Sequence, residues 1–147
     1  IMERAPAVGP TGRSSQGIWI GSNCSVGTIA HELGHTLGFW HEHSSPQRDK
    51  FLVVHKENTD EERQVEDTHG SAWGVYDYRS IMHYSSKKTS TNGEDVLVPR
   101  IPLPSGIMGL SDELSKGDIA GANAMVRAAS GGPMPSDSSP AAGEPRP

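Results

Sequence analysis

The chain is 147 residues long, with 13 Lys and Arg against 18 Asp and Glu for a formal charge of -5. That length holds one domain at most, the acidic balance gives no electrostatic reason to propose nucleic acid or an anionic membrane as partner, and no apolar run approaches the ~20 residues that span a bilayer. Cys24 is the only cysteine, which excludes an internal disulfide and leaves the redox compartment open.

Residues 1–11 carry Pro6, Gly9 and Pro10 and read as an irregular lead-in. Gly17-Ile18-Trp19-Ile20-Gly21 is a short apolar run between glycines and predicts a strand. Ser22 to Ser25 then offer cap residues ahead of Val26, Ile29, Ala30, Leu33 and Leu37, whose spacing predicts a helix that buries this stripe in the core.

On that helix begins His31 to Glu42, HELGHTLGFWHE. At 3.6 residues per turn His31 and His35 lie about 40° apart around the axis and about 6 Å apart along it, so both rings reach one cation. Glu32 projects beside that cation, placed to take a proton from a bound water. Gly38 can adopt positive φ, end the helix and turn the chain back, so that His41 joins from a loop. Three neutral nitrogens suit zinc better than magnesium or calcium, and three protein ligands plus water is the catalytic rather than the structural arrangement. The competing reading is an amphipathic core helix with solvated histidines. HExxH alone arises by chance in about 2 of 100 such chains, but requiring Gly38 and His41 as well lowers this to roughly 1 in 10,000, which favours the metal.

After Glu42 the segment Ser44 to Asp49 is a loop broken by Pro46, and Phe51 to His55 a short extended stretch. Thr59-Asp60-Glu61-Glu62 fits a capping box and predicts a short polar helix to about Asp67, its acids a solvated face. Trp73 to Tyr78 is aromatic-rich and leads into Ser80-Ile81-Met82-His83-Tyr84. Lys87 to Gly93 reads as a surface loop, and Val96 to Pro99 as a short strand followed by the breakers Pro102, Pro104 and Gly106. Ser115 with Asp118 is a second capping box, opening a helix to about Ala128 with Ile119, Ala122 and Val126 as its inner stripe. Residues 130–147, rich in Gly, Pro, Ser and Ala, predict a disordered tail or linker.

HELGHTLGFWHE resembles the metzincin zinc peptidases, and Gly38-Phe39-Trp40-His41-Glu42 resembles the astacin family in particular. Ser80-Ile81-Met82-His83-Tyr84, preceded by Tyr76-Asp77-Tyr78, is similar to that family's Met-turn. Met108-Gly109, Leu114-Ser115 and Asp118-Ile119 resemble its C-terminal helix entry, and Gly12-Arg13 with Cys24 the approach to its zinc helix. The resemblance covers roughly residues 12 to 128.

The resemblance implies an α+β fold, a metzincin-like catalytic domain over residues 12–129, mainly its C-terminal half with zinc helix, Met-turn and C-terminal helix. It implies a secreted or extracellular zinc metalloendopeptidase that cleaves peptide or protein substrates with a metal-activated water. One Zn2+ would be held by His31, His35 and His41, with Tyr84 as a displaceable fifth ligand and Glu32 as general base and acid. Met82 and Gly38 would be supports, and Glu42 would tie down the mature N-terminus. His43, His55, His69 and His83 match no ligand position and read as surface or locally bonded residues.

The chain also departs from the family pattern. Ser45 and Gln47 stand where the family usually carries Arg and an acid, which predicts a looser loop. Only 30 residues precede His31, whereas the family has a longer N-terminal half with an edge strand that pairs with substrate and carries a partner for Cys24. The expectation is an N-terminally truncated domain with its first sheet largely missing. Two other readings follow, a non-catalytic zinc-binding fragment and another metzincin branch; Glu42 and the Tyr84 Met-turn argue against the latter. Lys87 and Lys88 would favour an acidic residue near the scissile bond unless they are simply a solvated charge pair.

Overall fold

The computed structural model describes residues 17–18, 20–62, 65, 74–104, 107–109 and 111–132. The lead-in, Trp19, His69, Trp73 and the tail beyond residue 132 lie outside the described residues. Gly17, Ile18, Ile20 and Gly21 belong to no strand.

Helix α1, Val26–Leu37, starts where Ser25 accepts the N–H of Thr28 at 3.1 Å. The same hydroxyl donates to Asp112 at 2.7 Å, tying the helix start to a distant loop. The predicted apolar stripe is not the inner face: Val26 and Leu33 are 81% and 47% exposed, while Gly27, Gly34 and His35 are buried. Small residues win because the partners approach so closely. A Cβ on Gly27 would overlap Asp112, and one on Gly34 would sit 2.8 Å from Met82 Sδ.

Past the helix the chain runs through short 3-10 turns at Glu42–Ser44 and Arg48–Lys50. Strand β1, Leu52–Val54, pairs antiparallel with β2, Leu97–Pro99, in the register Val53 to Val98. Pro99 stands opposite Leu52 at the ladder's end, where its missing N–H costs least. Leu52, Val65, Tyr76, Tyr78, Val96, Leu97 and Met108 form the core around this pair, each contributing roughly 1.5–3 kcal/mol by leaving water. Phe51 stacks on Tyr76 at 4.5 Å, and the Tyr78 hydroxyl donates to the Phe51 carbonyl at 2.7 Å.

The polar helix expected from Thr59 has no α-helical residue among those described. The Thr59 hydroxyl accepts from the Glu61 N–H two residues on, as a cap does, Glu62 lies in a 3-10 turn, and the acids Asp60, Glu61 and Glu62 are exposed as expected, while Val65 is buried. The remainder of that segment lies outside the described residues.

Helix α2, Lys116–Ala129, has the expected capping box of Ser115 and Asp118. Its inner stripe is Asp118, Gly121 and Ala124; Ile119 and Val126, expected inside, are exposed at 49% and 52%. Asp118 sets the rotation, since its carboxylate is held by the Ser80 hydroxyl at 2.6 Å and the Ile81 N–H at 2.9 Å. Charge-assisted bonds of this kind outweigh the burial of one half-exposed apolar side chain. Two helices and a small antiparallel sheet among the described residues make the architecture α+β, and no helix among them is long and apolar enough to cross a membrane.

Candidate metal centre

Helix α1 presents His31 and His35 on one side, one turn apart, and Gly38 then turns the chain as its spacing predicts. Gly38 sits at φ 114 and ψ 10, and its N–H bonds Gly34 O at 3.1 Å and His35 O at 3.0 Å while Phe39 N–H bonds Gly34 O at 2.9 Å. A residue with a Cβ is strained at such a φ. The reversal returns His41, and the nitrogens converge: His41 Nε2 lies 3.2 Å from His35 Nε2 and 3.3 Å from His31 Nε2.

The protonation pattern shows what that convergence means. His31 Nδ1 lies 2.8 Å from Ile81 O, and His35 Nδ1 lies 2.8 Å from Phe39 O. Carbonyl oxygens only accept, so each Nδ1 carries the proton and each Nε2 offers a lone pair. Two acceptor nitrogens thus face His41 Nε2, and the three atoms are spaced as ligands of one ion would be, since nitrogens about 2.05 Å from a tetrahedral zinc stand about 3.3 Å apart. The three side chains form the one His/Cys/Asp/Glu group among the described residues with ligand atoms within 4.8 Å of one another. Burial first, then the neighbouring imidazoles, lowers the His41 pKa to about 2, and burial lowers that of His35, so both are neutral and ready to ligate. The donor set fits zinc.

Met82 and Tyr84 come from the other motif. Met82 is buried with its sulfur against Gly34, and its carbonyl accepts the Glu42 N–H at 3.1 Å, stitching the turn beneath the helix to the loop of the third histidine. The Tyr84 ring lies 4.5 Å from the His41 ring. Burial, then the carboxylates of Glu61 and Glu32, push its phenol up to about 12, so it is a hydrogen-bond donor at neutral pH. Glu32, half-buried on α1 between the two helical histidines, has a fully buried Oε2. Glu42 accepts the Asp77 N–H at 2.9 Å; burial and the Asp77 and Asp118 carboxylates raise its pKa to about 7.

The loop at Ser45 and Gln47 is tied down despite its departures: Arg48 is buried, bonds Asp49 at 2.7 Å, and donates to the carbonyls of His43 and Val65. His55 is a surface residue paired with Glu57 at 2.8 Å, as expected. His43 and His83 are not at the surface; they are 0% and 4% exposed, packed behind Tyr84. The legible signal was position alone, one imidazole following Glu42 and one following Met82.

An HExxH helix with a third histidine beyond a glycine reversal is the arrangement of three-nitrogen zinc sites. The family model of astacin, a peptidase family, matches residues 5–127. The chain is 37% identical over 137 residues to the bone morphogenetic protein 1 homolog of Strongylocentrotus purpuratus, covering 85% of this chain and 21% of that protein. It is 38% identical over 130 residues to nematocyst expressed protein 6 of Nematostella vectensis, covering 82% and 45% of the two, and 39% identical over 132 residues to human tolloid-like protein 2, covering 82% and 13%. Among solved structures it resembles high choriolytic enzyme 1, a hatching enzyme zinc-protease from Oryzias latipes, with a TM-score of 0.59 and 35% identity over 66% of this chain and 50% of that one. The chain belongs to the astacin family of peptidases. It spans less than half the length of these curated relatives.

Proposed function

We propose that the protein is a zinc-dependent metalloendopeptidase, binding one zinc per chain through His31, His35 and His41. The observation that carries this is the convergence of three Nε2 atoms at 3.2 and 3.3 Å with two tautomers fixed by backbone carbonyls. Zinc, when bound, lowers the pKa of water to about 7 and polarises a carbonyl. Glu32 takes the proton of the attacking water and later delivers it to the leaving amine, one carboxylate serving both steps. The Tyr84 hydroxyl would be a displaceable fifth ligand and would supply a hydrogen-bond donor to the developing oxyanion; losing one such donor typically costs about 100- to 1,000-fold. Gly38 and Met82 position the ligands, and Glu42 secures the neighbouring chain.

The substrate is a peptide or protein, and the setting is extracellular, on the strength of the family likeness. Residues 12–129 form the domain, corresponding to the C-terminal half of a metzincin-like catalytic domain. The match to about half of the hatching enzyme chain is consistent in extent with that reading.

A second reading, a zinc-binding fragment without turnover, is favoured by Leu33, Leu37 and Trp40, all partly exposed on or just past α1. A fluorogenic peptide assay separates the two. Under the first reading cleavage stops with chelator, returns with zinc, and falls at least about 100-fold in Glu32→Ala with zinc content unchanged. Zinc uptake without cleavage supports the fragment, and unimpaired cleavage by Glu32→Ala removes Glu32 from the mechanism.

A further inference from the structure

The peptide of Tyr84 is gripped on both its polar groups by buried imidazoles. Its N–H donates to His43 Nδ1 at 3.3 Å, and its carbonyl accepts from His83 Nδ1 at 2.6 Å. The His83 ring and the His43 main chain are themselves held from behind. His83 Nε2 accepts the hydroxyl of buried Tyr76 at 2.8 Å, which requires the proton on Nδ1. The His43 carbonyl is held by buried Arg48 at 3.3 Å. On the remaining side Gly109, at φ 65, lies so close to the Tyr84–Ser85 peptide that a Cβ would overlap it. The phenol ring packs against two imidazoles, 4.1 Å from His43 and 4.5 Å from His41.

We infer that His43 and His83 are positioning residues for Tyr84, locking its main chain so that the phenol reaches and leaves the metal by side-chain rotation alone. This rests on the reading of Tyr84 as a displaceable ligand. A ring pivoting about χ1 and χ2 from a fixed Cα has a defined resting place and a defined path, whereas a floating peptide smears both beyond the ~0.5 Å that a working constellation tolerates. Two neutral imidazoles suit the task because each can be made donor or acceptor by choice of tautomer, one for an N–H and one for a C=O. His43 also stacks on the third histidine, with His41 at 5.1 Å and 18°, so the same ring registers tyrosine and ligand against each other.

The test uses the full chain loaded with copper(II), reading the tyrosinate-to-copper charge-transfer band per bound metal. The wild type shows the band, and Tyr84→Phe loses it while keeping copper. His43→Asn places an oxygen where Nδ1 stands and keeps the band. His43→Gln places its polar atom near Nε2 instead and lowers the band by about 10-fold, the usual cost of a lost orienting partner. On the carbonyl side His83→Asn, with an amide N–H in place of Nδ1, should likewise outperform His83→Gln. Equal bands within a pair that loads copper, or failure of His43→Asn to load it, overturn the inference. No band in the wild type, or a band surviving Tyr84→Phe, instead removes Tyr84 from the metal, and the inference falls with that reading.

Discussion

The carboxylate of Asp118 and the hydroxyl of Ser80 meet at 2.6 Å across 38 residues of sequence. The same side chain holds the Ile81 N–H at 2.9 Å and caps its own helix at the Ser115 N–H, 2.8 Å away. One acid therefore anchors the segment carrying Met82 and Tyr84 to α2. Asp118→Ala should cost about 3 kcal/mol of stability and Asp118→Asn about half of that, since the amide keeps one acceptor. Denaturant unfolding measures both; a loss below about 1 kcal/mol for the alanine would place the anchor elsewhere.

Gly109 and Gly93 both have positive φ, 65 and 85, but only Gly109 lies against other backbone, that of Tyr84 and Ser85, whereas nothing stands within 4 Å of Gly93. Gly93→Ala should cost about 1 kcal/mol, the strain of the conformation alone. Gly109→Ala should cost distinctly more, about 3 kcal/mol, because backbone must move. Similar thermal midpoints for the two variants would show that the Tyr84 segment yields freely.

Zinc should stabilise the folded chain. At free zinc 100-fold above Kd the gain is about 2.7 kcal/mol, seen as a rise in thermal midpoint that chelator reverses. His41→Ala should abolish the increment, because it removes one of the three converging imidazoles. If His41→Ala responds to zinc as the wild type does, the metal sits at another site.

Glu42 gives the metal-free chain a pH dependence of known sign. Its carboxyl rises from 4.5 to about 7, chiefly through burial, so the folded state holds the proton more tightly than the unfolded one. The resulting stabilisation is complete below 4.5 and is lost as pH rises through about 7. Relative to wild type, Glu42→Gln should therefore gain up to about 3 kcal/mol between about pH 4.5 and pH 8. Urea melts with chelator across that range measure it, and parallel stability curves for the two chains would refute it.

His83 contributes the opposite limb. Burial lowers its pKa to about 4 from 6.5, so its contribution is present above 6.5 and lost as pH falls through about 4. His83→Asn should flatten the acid side of the metal-free stability curve. An acid limb as steep as that of the wild type would assign it to other groups.

The convergence of three histidines was legible in the sequence because its determinants are local: one helical turn sets His31 and His35, one glycine reverses the chain for His41, and capping residues mark Ser25 and Ser115 in their own neighbourhoods. Met82 and Tyr84 were legible only through family likeness, since nothing local distinguishes them from an ordinary buried methionine and aromatic. The faces of α1 and α2 were misjudged for a physical reason. Periodicity reports which residues are apolar, but rotation was set by close packing at Gly27 and Gly34 and by the bonds of Asp118 to Ser80 and Ile81. The burial of His43 and His83, and their hold on Tyr84, likewise depended on partners that only the folded chain brings together. An imidazole's tautomer and burial are properties of its neighbours, and those neighbours are distant in the chain.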